Sequence, residues 1–304
     1  MAIQRLASVV LDLATEFRYD IWNIGYIYRT LGRVDDLLAI PKQLTWFPAQ
    51  RPYRYLADPF VVERGDGYIV FAEEYDYFRK GPKGIICRVA IKQPSQVQVI
   101  IREKHHLSYP CPFFRNGTTY LLPESCDSTK TGIYALDESL ETATGYDFLL
   151  DGVHAVDPTL HAYRGRYYIF CQVRQRQQEY LHCYYAETPF GPWVSHPQNP
   201  LKTGKRGSRP GGKLFECRGE WFRPAQNCEK TYGGSLLIYK VKKLTPDVFE
   251  EEEILEIFPD RTGPYPHGLH HIHVEKDIIV MDAKKRHIHI LWPLKKLLRS
   301  PSVS

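Results

Sequence analysis

The chain repeats one pattern of polar and apolar positions five times, at intervals of about fifty residues. A polar motif with Pro or Gly opens an apolar strand, a polar turn follows, and an aromatic-rich strand ends on an acid or amide. The copies read ADPFVVERGDGYIVFAEE (57–74), YPCPFFRNGTTYLLPE (109–124), VDPTLHAYRGRYYIFCQ (156–172), PGGKLFECRGEWFRPAQ (210–226) and HGLHHIHVEKDIIVMD (267–282). Strand repeats of this size are typical of propellers. The sequence therefore predicts an all-β fold, a five-bladed β-propeller.

The opening motif and the closing residue keep nearly the same spacing in every copy. In an antiparallel hairpin the start of the first strand lies beside the end of the second. We therefore expect both to lie on one face of the propeller, around its axis. The closing residues are Glu73 or Glu74, Glu124, Gln172, Gln226 and Asp282, and the opening residues are Asp58, Tyr109, Asp157, Arg209 and His267 to His271. The alternative, that DP and PG pairs merely turn the chain, does not explain five copies in register.

We divide the chain into an N-terminal helix and connector (1–40), the propeller (41–298) and a tail (299–304). Apolar residues at helical spacing predict an amphipathic helix over 3–17, which would pack on the propeller or a partner, with a membrane surface as the alternative. A connector follows, and blade one begins near Trp46. The acidic stretch 244–256 is interpreted as an exposed excursion, and 287–300 as the segment that completes blade five or closes the ring.

Composition limits the function classes. The net charge of +5 and pI near 8.7 are too weak and diffuse to indicate nucleic-acid binding. The seven cysteines are an odd number without a CxxC pair, and Asp12 and Glu16 interrupt the first apolar stretch, which excludes a signal peptide. No apolar run approaches membrane-spanning length. We predict a reduced, cytoplasmic protein without a transmembrane segment.

Two aspartates carry the clearest chemical signal. Asp58 and Asp157 each open a first strand as the Asp of a DP pair, in blades one and three. Such blades face each other across a five-bladed axis, and glycosidic bond cleavage uses two carboxyl groups that flank a sugar. Glu124, at the end of blade two, is the candidate proton donor. The structural alternative is that these acids only cap turns and strand ends.

Substrate contacts are predicted at the same face. Arginines there could bind a carboxylate or phosphate, although ion pairing between blades is the competing interpretation. The histidines of HGLHHIH lack the HExxH pattern of zinc proteases, so we predict no protein metal site and leave only an axial calcium ion open. The predicted contacts are Glu74, Tyr109, Arg209, Arg223, Gln226, His270, His271 and Asp282. P-loop, GxGxxG, GxSxG, kinase and deaminase signatures are missing from the sequence.

The ADPF and VDPTL motifs resemble those of family 43 glycoside hydrolases, which are five-bladed propellers. This resemblance implies that Asp58 is a general base and that Asp157 modulates its pKa and orients substrate. A longer set of motifs resembles the N-terminal propeller domain of plant glucosamine inositolphosphorylceramide transferases and similar bacterial proteins. That set is WNIG, ADPF, YLLPES, VDPTL, RPGG, FRPAQNC, YGGSLLIYKV, HGLHH and VMDAKK.

One departure from the hydrolases leaves the function open. They carry their acid Glu in blade four, where this chain has SRPGG (208–212) without a carboxylate. A hydrolase would use Asp58 as base and Glu124 as acid. A glycosyltransferase would use Asp58 on an acceptor hydroxyl, with Arg209, Arg223 and Lys213 on the phosphate of a nucleotide sugar. A sugar-binding propeller would position a saccharide or glycolipid for a partner glycan-assembly enzyme.

Overall fold

The computed structural model describes residues 18–125, 130–175 and 178–289. These residues form five antiparallel sheets arranged as the blades of a propeller, which confirms the predicted fold class. The predicted helix at 3–17 and the tail at 299–304 lie outside the described residues. In the part that is described, no helix has the length and apolar character needed to cross a membrane.

The chain begins with strands that belong to the last blade and then builds the five blades in order. The first elements are β1 (Arg18–Tyr28), a 3-10 helix (Val34–Lys42) and β2 (Thr45–Trp46). Blade one contains β3 (Arg54–Arg64), β4 (Gly67–Asp76), β5 (Gly84–Ala90) and β6 (Val97–Ile101). Blade two contains β7 (Ser108–Arg115), β8 (Thr118–Glu124), β9 (Lys130–Leu136) and β10 (Ala143–Asp151).

The remaining blades are less regular at their edges. Blade three contains β11 (Ala155–Tyr163), β12 (Arg166–Gln175), β13 (Gln178–Ala186), β14 (Val194–Ser195) and β15 (Lys202–Thr203). Blade four contains β16 (Arg206–Pro210), β17 (Phe215–Cys217), β18 (Glu220–Asn227), β19 (Ser235–Leu244) and β20 (Phe249–Ile257). Blade five contains β21 (Gly268–Glu275) and β22 (Ile278–Ile288), to which β1 and β2 add. First strands of different blades contact one another and so surround the axis.

The ring is closed by the N-terminal strand. β1 pairs antiparallel with β22 along its whole length, from Arg18 opposite Ile288 to Tyr28 opposite Ile278. The connector expected for this segment is therefore wrong, because 18–28 is a strand of blade five. Propellers leave no long sheet edge when the chain ends meet in one blade, and this pairing satisfies the backbone of β22 that would otherwise be exposed.

The segment between β1 and β2 also contains structure that was not expected. Asp36 accepts a hydrogen bond from the backbone N–H of Arg33 at 2.9 Å, which caps the 3-10 helix. Leu37 and Ile40 are fully buried against apolar residues of blades four and five. The helix therefore covers the junction between those blades.

The acidic stretch 244–256 is likewise not an excursion. It contains most of β20, which pairs with β19 at the outer edge of blade four. Glu251 on β20 receives the guanidinium of Arg223 and the ammonium of Lys202, so a charged sequence is accommodated in a strand by ion pairing. Glu250, Glu252 and Glu253 are exposed as expected, but they lie in an edge strand and not in an excursion from the blade.

Apolar side chains fill the spaces between adjacent blades. Between blades five and one, Ile24 and Val280 pack with Leu56 and Val70. Equivalent clusters lie between the other neighbouring blades. Since each blade is covered by its neighbours, the ring has one continuous set of interfaces rather than one central core.

Ile24→Ala tests whether ring closure holds the propeller together. Ile24 lies on β1, is fully buried and packs against blade one, so the truncation should lower the free energy of unfolding by about 2–5 kcal/mol. Ile288→Ala on β22, where the side chain is 73% exposed, should cost less than about 0.5 kcal/mol. Urea denaturation measures both. Equal losses would show that β1 is dispensable for the fold.

Candidate functional site

The opening residues of three blades share an uncommon backbone conformation. Asp58, Tyr109 and Asp157 have φ of 53°, 47° and 51°, in the left-handed region. Each precedes a proline, which disfavours the right-handed helical region and removes one ladder N–H. The hairpin register breaks at this point in all three blades. The DP and YP motifs therefore turn three residues out of the ladder and towards the axis.

The closing carboxylates bind the backbone of the next blade. Asp282 of blade five accepts a hydrogen bond from the N–H of Asp58 in blade one, at 2.9 Å from Oδ2. Glu124 of blade two accepts one from the N–H of Asp157 in blade three, at 2.9 Å from Oε2. The rings of opening and closing residues thus meet as predicted, but two of the closing acids link blades through backbone amides.

Asp157 is held by blade four. Arg209 donates from Nε to Oδ2 at 2.5 Å and from Nη2 to Oδ1 at 3.2 Å, and Gln226 donates to Oδ2 at 2.8 Å. Burial raises the pKa of Asp157 to about 7, against the lowering effect of Arg209 and with a further rise from Glu124. Arg209 Nη2 also lies 3.8 Å from Glu124 Oε2. One guanidinium therefore holds two of the three predicted catalytic carboxyl groups.

Asp58 has fewer partners. His270 Nε2 lies 3.5 Å from its Oδ1, and the other ring nitrogen, Nδ1, lies 2.7 Å from Asp282 Oδ1. Burial raises the pKa of Asp58 well above its usual value, and the charges of Asp157, Glu73 and Asp282 raise it further. Burial would also raise the pKa of Asp282, but His270, His271 and the Asp58 N–H hold it below its ordinary value. Asp58 therefore favours its protonated form beside an ionised Asp282.

A metal could in principle be bound here, since Asp58, His270 and Asp282 each offer a ligand atom within 4.8 Å of the others. Calcium prefers six to eight oxygen ligands. Only two carboxylates contribute, and Asp282 already accepts hydrogen bonds at both oxygens. The donor set therefore does not fit calcium, and the axial calcium ion stays a prediction without support from these side chains.

Aromatic residues missed from the sequence surround the acids. Trp22 stacks on His270 with ring centroids 3.9 Å apart, and Tyr232 meets the same imidazole edge-on at 5.2 Å. Tyr232 is 44% exposed and carries the guanidinium of Arg209 at 4.9 Å from its ring centroid. Further tyrosines beside them form a contiguous aromatic surface, Tyr19, Tyr53, Tyr55, Tyr75 and Tyr77. Trp22 belongs to the WNIG motif noted in the sequence, but the segment that contains it was predicted to be a connector.

Two of the predicted contacts, Glu74 and Arg223, have other roles in the structure. Glu74 pairs with Arg79 and with Arg54, at 3.7 Å from the latter, whereas Glu73 acts on the pKa of Asp58. Strand alternation had allowed only one of the two to face the axis. Arg223 donates twice to Glu251, at 2.7 Å each, within blade four. The expected salt-bridging alternative thus describes Arg223, although the pair lies inside one blade.

Two predicted contacts line the axis below the acids. Tyr109 OH lies 2.9 Å from Thr159 Oγ1 and accepts from the Gly212 N–H at 2.8 Å, which joins blades two, three and four. His271 packs against Phe60 and Tyr109, and neither ring nitrogen has a hydrogen-bond partner within the described residues. Burial lowers the pKa of His271 to about 3, so the ring is neutral.

Comparison with known proteins agrees with this architecture. The family model described as glucosamine inositolphosphorylceramide transferase 1, N-terminal, matches residues 45–276. The chain belongs to this family. Proteins named glucosamine inositolphosphorylceramide transferase 1 are 30% identical over 210 residues in Oryza sativa subsp. japonica and 29% identical over 214 residues in Arabidopsis thaliana. These matches cover 66% and 67% of this chain but only 28% of each relative, so the chain spans less than a third of the length of the relatives it matches.

Solved structures show the same fold at low identity. A family 117 glycoside hydrolase from Zobellia galactanivorans matches with TM-score 0.53 and 12% identity, over 88% of this chain and 91% of that one. A family 43 protein from Bacillus licheniformis matches with TM-score 0.51 and 17% identity, over 67% of this chain and 45% of that one. The predicted resemblances, to family 43 propellers in fold and to the transferase family in sequence, are confirmed. Together these comparisons support a carbohydrate-related protein.

Asp58→Asn should flatten the dependence of stability on pH. Because the pKa of Asp58 is raised by folding, the carboxyl destabilises the fold progressively as pH rises from the unfolded-state pKa of about 4 through the folded value. The variant should lose less unfolding free energy than wild type between pH 4 and 7, by at least about 1 kcal/mol. Asparagine also tolerates the left-handed backbone at this position.

Denaturation curves across that pH range measure the effect. Asp151→Asn, an exposed acid at the end of β10, is the matched control and should keep the wild-type slope. Parallel curves for wild type and Asp58→Asn would contradict a raised pKa at Asp58.

Proposed function

We propose that the propeller is a saccharide-recognition module of a glycan- or glycolipid-assembling transferase system. In this proposal the ligand binds at the face formed by Asp58, Arg209, Tyr232 and the aromatic surface beside them. The observation that carries it is Arg209, which comes from the blade-four segment where the resemblance places a hydrolase's acid. Instead of a carboxyl group, that segment supplies a cation that pairs with Asp157.

The geometry favours recognition over bond cleavage. Asp58, Asp157 and Glu124 are 5%, 1% and 5% exposed, and Arg209 and Tyr232 lie next to them. The pKa of Arg209 is held well above its ordinary value by Asp157, Tyr232 and Glu124, although burial opposes this, so it cannot donate a proton to a leaving group. By contrast, a guanidinium beside the exposed ring of Tyr232 suits hydroxyl and anionic groups of a sugar.

The relatives' name supports the transferase context. The transferase activity in that name belongs to proteins of which the match covers only 28% of the length. It applies to this chain only as part of the proposal. A partner glycan-assembly enzyme would then carry out the transfer, with a saccharide or glycolipid as the shared ligand. Binding of a nucleotide sugar and a cytoplasmic location remain predictions of the same kind.

A glycoside hydrolase is the second candidate. The observation in its favour is the raised pKa of both Asp58 and Asp157, because a carboxyl group that is protonated near neutral pH can act as a general acid. For this activity Arg209 would have to release Asp157 when substrate enters. Hydrolysis would then depend on Asp58, whereas recognition would not depend on its charge.

A thermal-shift screen with monosaccharides, oligosaccharides and nucleotide sugars tests the proposal. A saccharide ligand at one hundred times its Kd should stabilise the wild type by about 2.7 kcal/mol. Asp58→Asn should retain this stabilisation, because the amide still makes hydrogen bonds. Tyr232→Ala should abolish it, while Phe114→Ala, 71% exposed near the opposite end of the axis, should not.

The same samples distinguish the candidates. Stabilisation by nucleotide sugars would show that the site also binds an activated sugar donor. Release of free sugar from a stabilising glycan by wild type, and not by Asp58→Asn, would overturn recognition in favour of hydrolysis. Failure of every saccharide and nucleotide sugar to stabilise the protein would contradict both functions.

A further inference from the structure

A second polar pocket lies at the other end of the axis, away from Asp58. It has a volume of about 330 Å³, at the lower end of the range for small-ligand sites. Its wall comes from the far ends of the first strands in blades three and five and from the start of blade four. The residues that give it its chemistry are His161, Lys213, Trp221 and His273.

His161 presents an unused polar atom in this wall. The residue is 8% exposed, and its Nε2 has no hydrogen-bond partner among the residues that the structure describes. Its ring packs edge-on against Trp221, with centroids 4.7 Å apart. Burial, with a smaller effect of Lys213, lowers the pKa of His161 to about 3, so the ring is neutral. A buried polar atom without a partner is costly, which indicates that a ligand or water completes it.

His273 supplies a donor with a defined tautomer. Its Nδ1 accepts a hydrogen bond from the N–H of Val61 at 2.9 Å, so the proton of the neutral ring is on Nε2. Burial lowers the pKa of His273 well below its usual value. The ring therefore donates from Nε2 without carrying a charge.

Lys213 supplies the positive charge. Its ammonium donates to the carbonyl of Pro112 at 2.9 Å, and no ion pair to it occurs within 18–125, 130–175 and 178–289. It lines the same pocket as His161 and His273, and its charge contributes to the lowered pKa of both histidines. An ammonium has three donors, so two remain for a ligand.

We propose that this pocket binds the phosphate group of a small phosphorylated ligand, such as a sugar phosphate. The Lys213 ammonium neutralises the anion, and the histidine Nε2 atoms bind further oxygens. With the proton of His161 on Nε2, three side chains donate, which suits a phosphate with three free oxygens better than a carboxylate with two. Trp221 offers an apolar surface for a sugar ring beside the phosphate.

Two glutamates that line the pocket, Glu216 and Glu275, do not remove the preference for a phosphate. Glu216 is exposed at the rim, and the half-buried Glu275 has its Oε2 3.9 Å from His273 Nε2, so a bound anion would lie beside this carboxylate, whose charge is partly screened by water and salt. Lys276, also at the rim, pairs with Glu63. Lys213 is the charged group that lies inward with the two neutral histidines.

The site differs from the Asp58 face, so the two proposals can fail independently. The sequence had grouped Lys213 with Arg209 and Arg223 on one phosphate. The structure separates the three: Arg209 pairs with Asp157, Arg223 with Glu251, and Lys213 lines the opposite pocket.

Calorimetric titration with inorganic phosphate and with glucose 1-phosphate tests the inference. Both should bind wild type, and Lys213→Met should weaken each at least tenfold. His161→Phe, which keeps a ring against Trp221 but removes Nε2, should weaken each several-fold. Lys104→Met, an exposed lysine in the loop before β7, should bind as wild type does.

Two results would overturn the proposal: no heat with either probe at millimolar concentration, or unchanged affinity in Lys213→Met. Loss of phosphate binding in Arg209→Gln, with Lys213→Met unaffected, would instead assign the anion to the Asp58 face. Circular dichroism and the urea midpoint of each variant show whether it is folded. If Lys213→Met does not fold, a folded His161→Phe still tests the proposal. Stabilisation by saccharides at the Asp58 face is measured separately, by comparing the wild type with Tyr232→Ala.

Discussion

Each hydrogen bond between a closing carboxylate and the first backbone amide of the next blade organises the axis of this propeller. A left-handed residue before proline turns its N–H out of the ladder, where it would be left unpaired in a buried region. Asp282 accepts that N–H from Asp58, and Glu124 accepts it from Asp157. The same turn that exposes the amide brings the aspartate side chain to the axis. The acids at the centre are therefore a consequence of how the blades are joined, before any ligand is considered.

This origin explains what the sequence could predict. The repeat of apolar strands, the DP and YP motifs and the closing acids are local patterns, and they predicted five blades and the ring of Asp58, Glu124, Asp157 and Asp282. Closure by β1 could not be predicted in this way, since it pairs residues such as Gly25 and Met281 that no local pattern relates. For the same reason Trp22, which stacks on His270, was missed.

The sequence also could not predict which ion-pair partner each charged side chain has. Arg209 and Arg223 are alike in sequence context, since each precedes a proline in a strand of blade four, yet one binds Asp157 and the other Glu251. Strand alternation predicts which face a side chain takes but not which acid it meets across an interface. The acidic run of β20 looked like a solvent-exposed loop because the cations that pair with Glu251, Arg223 and Lys202, come from elsewhere in the chain.

The axis then divides into regions with different electrostatic character. At one end, burial raises the pKa of Asp58, and the charges of Asp157, Glu73 and Asp282 raise it further. Two further residues, His271 and Gln172, are buried with side-chain nitrogen and oxygen atoms that lack hydrogen-bond partners in the described part of the chain. At the other end Lys213 lies between two neutral histidines. With acids at one end of the axis and a cation at the other, the two mouths present different charges to a ligand, because the Coulomb energy falls with distance and the nearer group dominates.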